Sequence, residues 1–157
     1  MSNRTAHRDR AAAGSVVLDL IGRGWNVELS DEEFGAAALR VFEWQYEHNQ
    51  PFRAFCKRRE RTPEDVTHWT QIPAVPTAAF KEVALVAGSA ADAEAMFRTS
   101  GTTLGAERRG THYILDLSVY EASLLHSFRA CVLPDVDRIR VVSLVPAAAQ
   151  VPDSSLA

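Results

Sequence analysis

The feature that most restricts the fold is the run Ser30-Asp31-Glu32-Glu33. A serine followed three places on by a glutamate forms a capping box. The serine oxygen accepts the third helical amide, and the glutamate reaches back to the serine amide. Behind it Phe34, Ala37, Ala38, Val41, Phe42 and Gln45 recur at helical spacing, which predicts a helix over residues 31–48. Pro51 restarts the chain, and Phe52, Phe55 and Cys56 make a second, shorter apolar face.

Around this helix the punctuation divides the chain. Residues 1–14, rich in Arg and Ala, read as a flexible arm, and residues 15–21 as a short helix ended by Gly22 and Gly24. Arg53, Lys57, Arg58, Arg59 and Arg61 gather around Glu60, and read as a solvated helix end where cations suit the macrodipole. Thr62 and Pro63 signal another helix start. Residues 72–76 carry prolines that push their predecessors out of the helical region, so this stretch is an extended link. One helical turn is expected at 77–81, then strands at 82–87, 96–98 and 112–115. Asp116 can cap a helix with Leu117, Tyr120, Leu124, Phe128 and Cys131 on its apolar face, ended by Pro134. The β-branched run 138–145 reads as a largely buried strand. Helices alternating with strands point to an α/β layer fold. Trp44 and Trp69 read as core or half-core anchors, and Tyr113 and Tyr120 as packing residues.

Composition removes several classes of function. A formal net charge of -3 gives no overall pull towards nucleic acid or anionic lipid. The apolar stretches are too short for a membrane span, and no signal-peptide pattern follows the charged first residues, so a cytoplasmic protein is expected. Cys56 and Cys131 lie far apart with no CxxC spacing, which suggests neither zinc nor a disulfide; both read as buried thiols in a reducing compartment.

One segment carries chemistry. In Thr99-Ser100-Gly101-Thr102-Thr103 four hydroxyl side chains occupy five positions, followed by Gly105, Arg108 and Arg109. Glycines let the backbone approach a ligand closely. Successive amides make an anion nest, and hydroxyls donate to phosphate oxygens. An arginine binds such oxygens in bidentate fashion and neutralises their charge. A Walker A loop is excluded, because no lysine follows Gly105. His112 lies close by and reads as a hydrogen-bonded structural residue.

The string Thr99–Thr103 resembles the phosphate loop of the adenylate-forming superfamily, in which a Thr-Ser-Gly-Thr-Thr-Gly core follows a strand. The upstream run Ile72-Pro73-Ala74-Val75-Pro76-Thr77-Ala78-Ala79-Phe80-Lys81 narrows the match. So do Gly110, Thr111, His112, Tyr113, Asp116, Tyr120, Glu121, Ser123 and Leu124 downstream. Together they are similar to the acyl-protein synthetases of bacterial bioluminescence, the fatty-acid-activating subunits of fatty acid reductase complexes. The likeness runs from about Trp69 to Phe128. Two departures stand out. Leu104 intervenes before Gly105, and Arg108 or Arg109 stands where the wider superfamily has a lysine.

The resemblance implies the start of an adenylate-forming large domain over residues 15–157, with a helical beginning and then a strand–loop–helix unit around the phosphate loop. It implies ATP and Mg2+ as cofactors. Thr99, Ser100, Gly101, Thr102, Thr103, Gly105, Arg108 and Arg109 would hold the ATP phosphates, with no protein metal site. The reaction implied is activation of a long-chain fatty acid as acyl-adenylate, then transfer to a protein thiol and on to a reductase partner. Nucleic acid and membrane are not expected partners. The adenine pocket, the acyl tunnel and the acceptor thiol of that family lie later in the sequence. The chain is therefore expected to be a fragment with little activity alone, and neither Cys56 nor Cys131 to be the acceptor. Two other readings stay open: a fragment of a coenzyme A ligase akin to phenylacetate-CoA ligases, and a non-catalytic partner-binding remnant.

Overall fold

In the computed structural model, which describes residues 3–24, 26–99, 109–147 and 149–154, the capping box forms as the sequence dictates. Ser30 Oγ accepts the Glu33 amide at 3.1 Å, and Glu33 Oε2 accepts the Ser30 amide at 3.2 Å. Helix α2 follows over Asp31–His48. The Ser30 amide, Arg23 and the Ser30 hydroxyl together hold the Glu33 carboxyl below its usual range. Asn49 ends α2 and caps α3, Gln50–Arg58, its Oδ1 accepting the Phe52 amide at 3.1 Å. This tight corner folds α3 onto α2. The core lies between them: Phe42, Phe52, Cys56 and Val66, with Leu39, Tyr46, Ile72 and Val75 against it. Phe42 meets Phe52 edge-on, with ring centres 5.9 Å apart. Burial pushes the Cys56 thiol up, away from the reactive thiolate. Cys131, by contrast, is exposed, not buried as expected.

The end of α3 explains much of the basic cluster. Arg61 N–H donates to Cys56 O at 3.1 Å and Glu60 N–H to Lys57 O at 3.1 Å, the paired bonds of a Schellman motif. Glu60 sits at φ 53°, in the left-handed region where glycine is usual. Arg53 turns back to the end of α2, donating to Tyr46 O at 2.8 Å and also to Glu47 O. Arg59 covers the Phe55 ring.

Helix α1, Asn3–Gly22, begins well before residue 15, so residues 3–14 of the segment read as a flexible arm are helical. The run Ala11-Ala12-Ala13 has high helix propensity and carries the helix through. It packs on α2 and on α4, Leu117–Val132. The expected helix after Thr62 is a single turn. Asp65 Oδ2 accepts both the hydroxyl and the amide of Thr62, at 2.7 and 2.9 Å. Gln71 Oε1 then takes the amides of Thr67 and His68, which draws the chain out of the helix. The next short turn, Trp69–Gln71, is tied to the start of α2 by Asp31. One carboxylate oxygen lies 2.9 Å from His68 Nε2, and the other accepts Trp69 Nε1–H at 2.8 Å. Trp69 also meets Phe34 edge-on and is half-buried.

After the extended link and the turn Thr77–Lys81, residues 82–87 are irregular, not a strand, although Val86 is buried. Strands β1, Ala95–Arg98, and β2, Thr111–Ile114, form an antiparallel pair with Arg98 opposite Thr111. Asp116 caps α4 as expected, and Glu94 Oε2 takes the Leu117 amide at 2.7 Å. The apolar face of α4 is only partly covered, leaving Leu124, Leu125 and Phe128 exposed. Residues 138–145 are irregular and open to solvent, with Leu144 97% exposed. Apolar, β-branched runs become strands only against a partner edge. Neither 82–87 nor 138–145 has a ladder partner among the described residues. The architecture is a mixed α/β one, helices with a two-stranded sheet. Among the described residues no helix is long and apolar enough to cross a membrane.

Candidate functional site

The candidate loop leaves β1 and returns into β2, so the unit is strand–loop–strand with α4 after it, not strand–loop–helix. The pairing continues one step past the strands. The Thr99 amide donates to Gly110 O at 2.9 Å, and the Gly110 amide donates to Thr99 Oγ1 at 2.9 Å. Ser100, Gly101, Thr102, Thr103, Gly105 and Arg108 lie outside the described residues. Thr99 and Arg109, of the residues expected to bind phosphate, meet at the neck.

Gly110 fits there because little space is left. A Cβ on it would come to 3.4 Å from Phe80 Cβ, Phe80 O and Thr99 Cγ2. Phe80, from the turn Thr77–Lys81, in turn stacks on His112 with ring centres 4.2 Å apart. His112 is thus a packing element under the neck, held by ring contact where a hydrogen bond was expected. Behind β1, Phe97 packs on Tyr120 of α4, so the packing role expected of Tyr120 ties β1 to the helix. Trp44 lies on α2, away from this loop in sequence, stacked on His48 with its Nε1 buried and without a hydrogen-bond partner among the described residues.

Arg109 is committed at the neck. Its Nε donates to Thr99 O at 2.6 Å, Nη1 to Asp153 Oδ2 at 3.0 Å and Nη2 to Arg98 O at 3.4 Å. Thr99 Oγ1, having accepted from Gly110, keeps its own proton for a further acceptor. Asp153 carried no signal in the sequence. It acts across a long separation in sequence, 44 residues from Arg109. Among the described residues no cluster of acidic, His or Cys side chains could hold a metal ion. A separate cavity of about 420 Å3 lies between α1, α2 and α4, lined by Val17, Val41, Trp44, Val86, Tyr113 and Val119 among others.

The sequence model of the family described as "Acyl-protein synthetase, LuxE" matches residues 4–113. The match covers more than half of the 157-residue chain, including α1 from its second residue, α2, α3 and the whole stretch between β1 and β2. It reaches further towards the start than the Trp69–Phe128 likeness and stops short of α4. No curated protein and no solved structure matches the chain.

Proposed function

The chain belongs to the LuxE acyl-protein synthetase family, and on that footing we propose that it serves ATP-dependent activation of a long-chain fatty acid in the cytoplasm. The observation that carries this reading is the loop itself. The hydroxyl- and glycine-rich segment lies inside the family match, and its two ends are drawn together at Thr99 and Gly110. In the reaction proposed, an oxygen of the acid attacks the α-phosphorus of ATP. The bond to the β-phosphate oxygen breaks, and pyrophosphate leaves with its charge. A protein thiolate then attacks the acyl carbon and AMP leaves, and the acyl group passes to a reductase partner.

The chain's own part is to bind and to place. Thr99, Ser100, Thr102 and Thr103 supply hydroxyl donors, and Gly101 and Gly105 allow backbone amides to approach the β- and γ-phosphates. Arg108 is assigned to the leaving pyrophosphate, because Arg109 is already held by Thr99, Arg98 and Asp153. Mg2+, when bound with the nucleotide, supplies neutralisation of phosphate charge. Such positioning and charge stabilisation are the main catalytic devices of reactions of this class. Cys56 is not the acyl acceptor, since it is sealed in the core with its thiol pushed up.

Fatty-acid-dependent exchange of pyrophosphate into ATP, measured on the protein from its source cell, tests the proposal. Exchange that requires the acid supports it, and exchange that ignores the acid refutes it. Product analysis with coenzyme A separates this reading from a ligase of the phenylacetate-CoA type. A second reading, a module that binds a protein partner, draws on the exposed apolar residues of α4 and of 136–145. It predicts that the chain is stable and binds no ATP.

A further inference from the structure

The neck of the loop is closed by more than the strand pair requires. The backbone ladder alone would join Thr99 to Gly110. Arg109, next to Gly110 on the β2 side, reaches across with a planar fork to the β1 side, donating to the carbonyls of Thr99 and Arg98 and to the carboxylate of Asp153. Asp153 in turn grips β1 directly. Its backbone oxygen accepts the Arg98 amide at 2.7 Å, and its carboxylate lies 4.0 Å from Arg98 Nε. The side chains of Arg109 and Asp153 are 28% and 27% exposed, so their ion pair is screened less than an open surface pair. Residue 153 lies beyond the stretch that matches the family.

We propose that Asp153 is a positioning residue for the phosphate loop. It holds Arg109 across the neck, which fixes Thr99 and Gly110, the two points between which the loop proposed to receive the triphosphate of ATP runs. The proposal rests on the phosphate-loop reading above. It makes Arg109 a brace whose charge is balanced within the protein, and Asp153 the residue that keeps it so.

The test compares Asp153→Asn, Asp153→Glu and Arg109→Lys in the full chain. Asn keeps the shape and the backbone contact but removes the ionic partner. Lysine keeps the charge but cannot make the planar fork. Amide hydrogen exchange at Thr99 and Gly110 reads the neck, exchange in α2 and α3 reads global stability, and equilibrium binding of Mg-ATP reads the loop. The expected result for D153N and R109K is faster exchange at Thr99 and Gly110, unchanged exchange in α2 and α3, and Mg-ATP affinity lowered on the order of tenfold, a loss typical of misplaced binding groups. D153E should recover part of the affinity. Unchanged exchange at the neck in D153N overturns the proposal whatever happens to ATP. Faster exchange with unchanged Mg-ATP affinity also overturns it, leaving Asp153 a purely structural brace. A wild-type chain without Mg-ATP affinity overturns the phosphate-loop reading and this proposal together, and the exchange data then report only whether the brace exists.

Discussion

Replacing Thr99 by valine isolates one hydrogen bond at the loop neck. Valine keeps the β-branched shape and removes the oxygen that accepts the Gly110 amide at 2.9 Å. Gly110 is buried, and a side chain there would already be at 3.4 Å from Phe80 and Thr99. Water therefore has little room to replace the lost acceptor. A buried donor left without a partner costs about 1–3 kcal/mol. With a urea slope of about 1–3 kcal/mol per molar for a chain of this size, the unfolding midpoint should fall by roughly 1 M. Thr99→Ser keeps the hydroxyl and should recover most of the loss. The Gly110 amide should exchange faster in the valine variant and at nearly the wild-type rate in the serine variant. If the serine variant is as unstable as the valine one, or if valine is neutral, the hydroxyl is not the acceptor and the neck geometry argued here fails.

The other predictions concern the frame that carries the loop. Phe42, 2% exposed between Phe52 and Tyr46, should cost about 3–5 kcal/mol on change to alanine, seen in denaturant unfolding. Glu60→Gly should stabilise by about 0.5–1 kcal/mol, because glycine removes the left-handed strain at φ 53° and gives back part of that gain in chain entropy. Acid should weaken the fold through Asp31, Glu33 and Asp65. Hydrogen bonds from Trp69 and His68, from Ser30 and Arg23, and from Thr62 hold these carboxyls below their ordinary values. Their contribution is complete above about pH 4–5, where the unfolded carboxyls are ionised, and is lost as pH falls through the lower folded values. Urea midpoints that fall steadily from pH 5 to pH 2, less so in Asp31→Asn, are the expected outcome.

Local signals in the sequence proved legible, and distant ones did not. The capping box set α2 at the bounds expected, and Asp116 did the same for the start of α4. Both depend on side chains within a few residues of the backbone they cap. The strands around the loop were placed within a residue, since short apolar runs flanked the glycine-rich stretch. The runs 82–87 and 138–145 were misread because a strand is a property of a pair, and composition shows only one member. Cys131 was misplaced for a similar reason: α4 has an apolar face, but the sequence does not say how much of it is covered. The early start of α1 was hidden by charged residues that helix propensity accommodates well. At the candidate site, Thr99 and Arg109 were legible as chemical types. Their closing of the neck was not, because it depends on Asp153 and Phe80, which reach the site from other parts of the chain.

The segment from Thr99 to Arg108 is proposed to receive the phosphates of ATP, and the most direct measurement is calorimetric titration of Mg-ATP into the wild-type protein and the Thr102→Val variant. Saturable binding by the wild type is expected, with affinity at least tenfold weaker in the variant, since a lost donor to a charged oxygen costs about 1.5–3 kcal/mol. Equal affinity in the two proteins would contradict it.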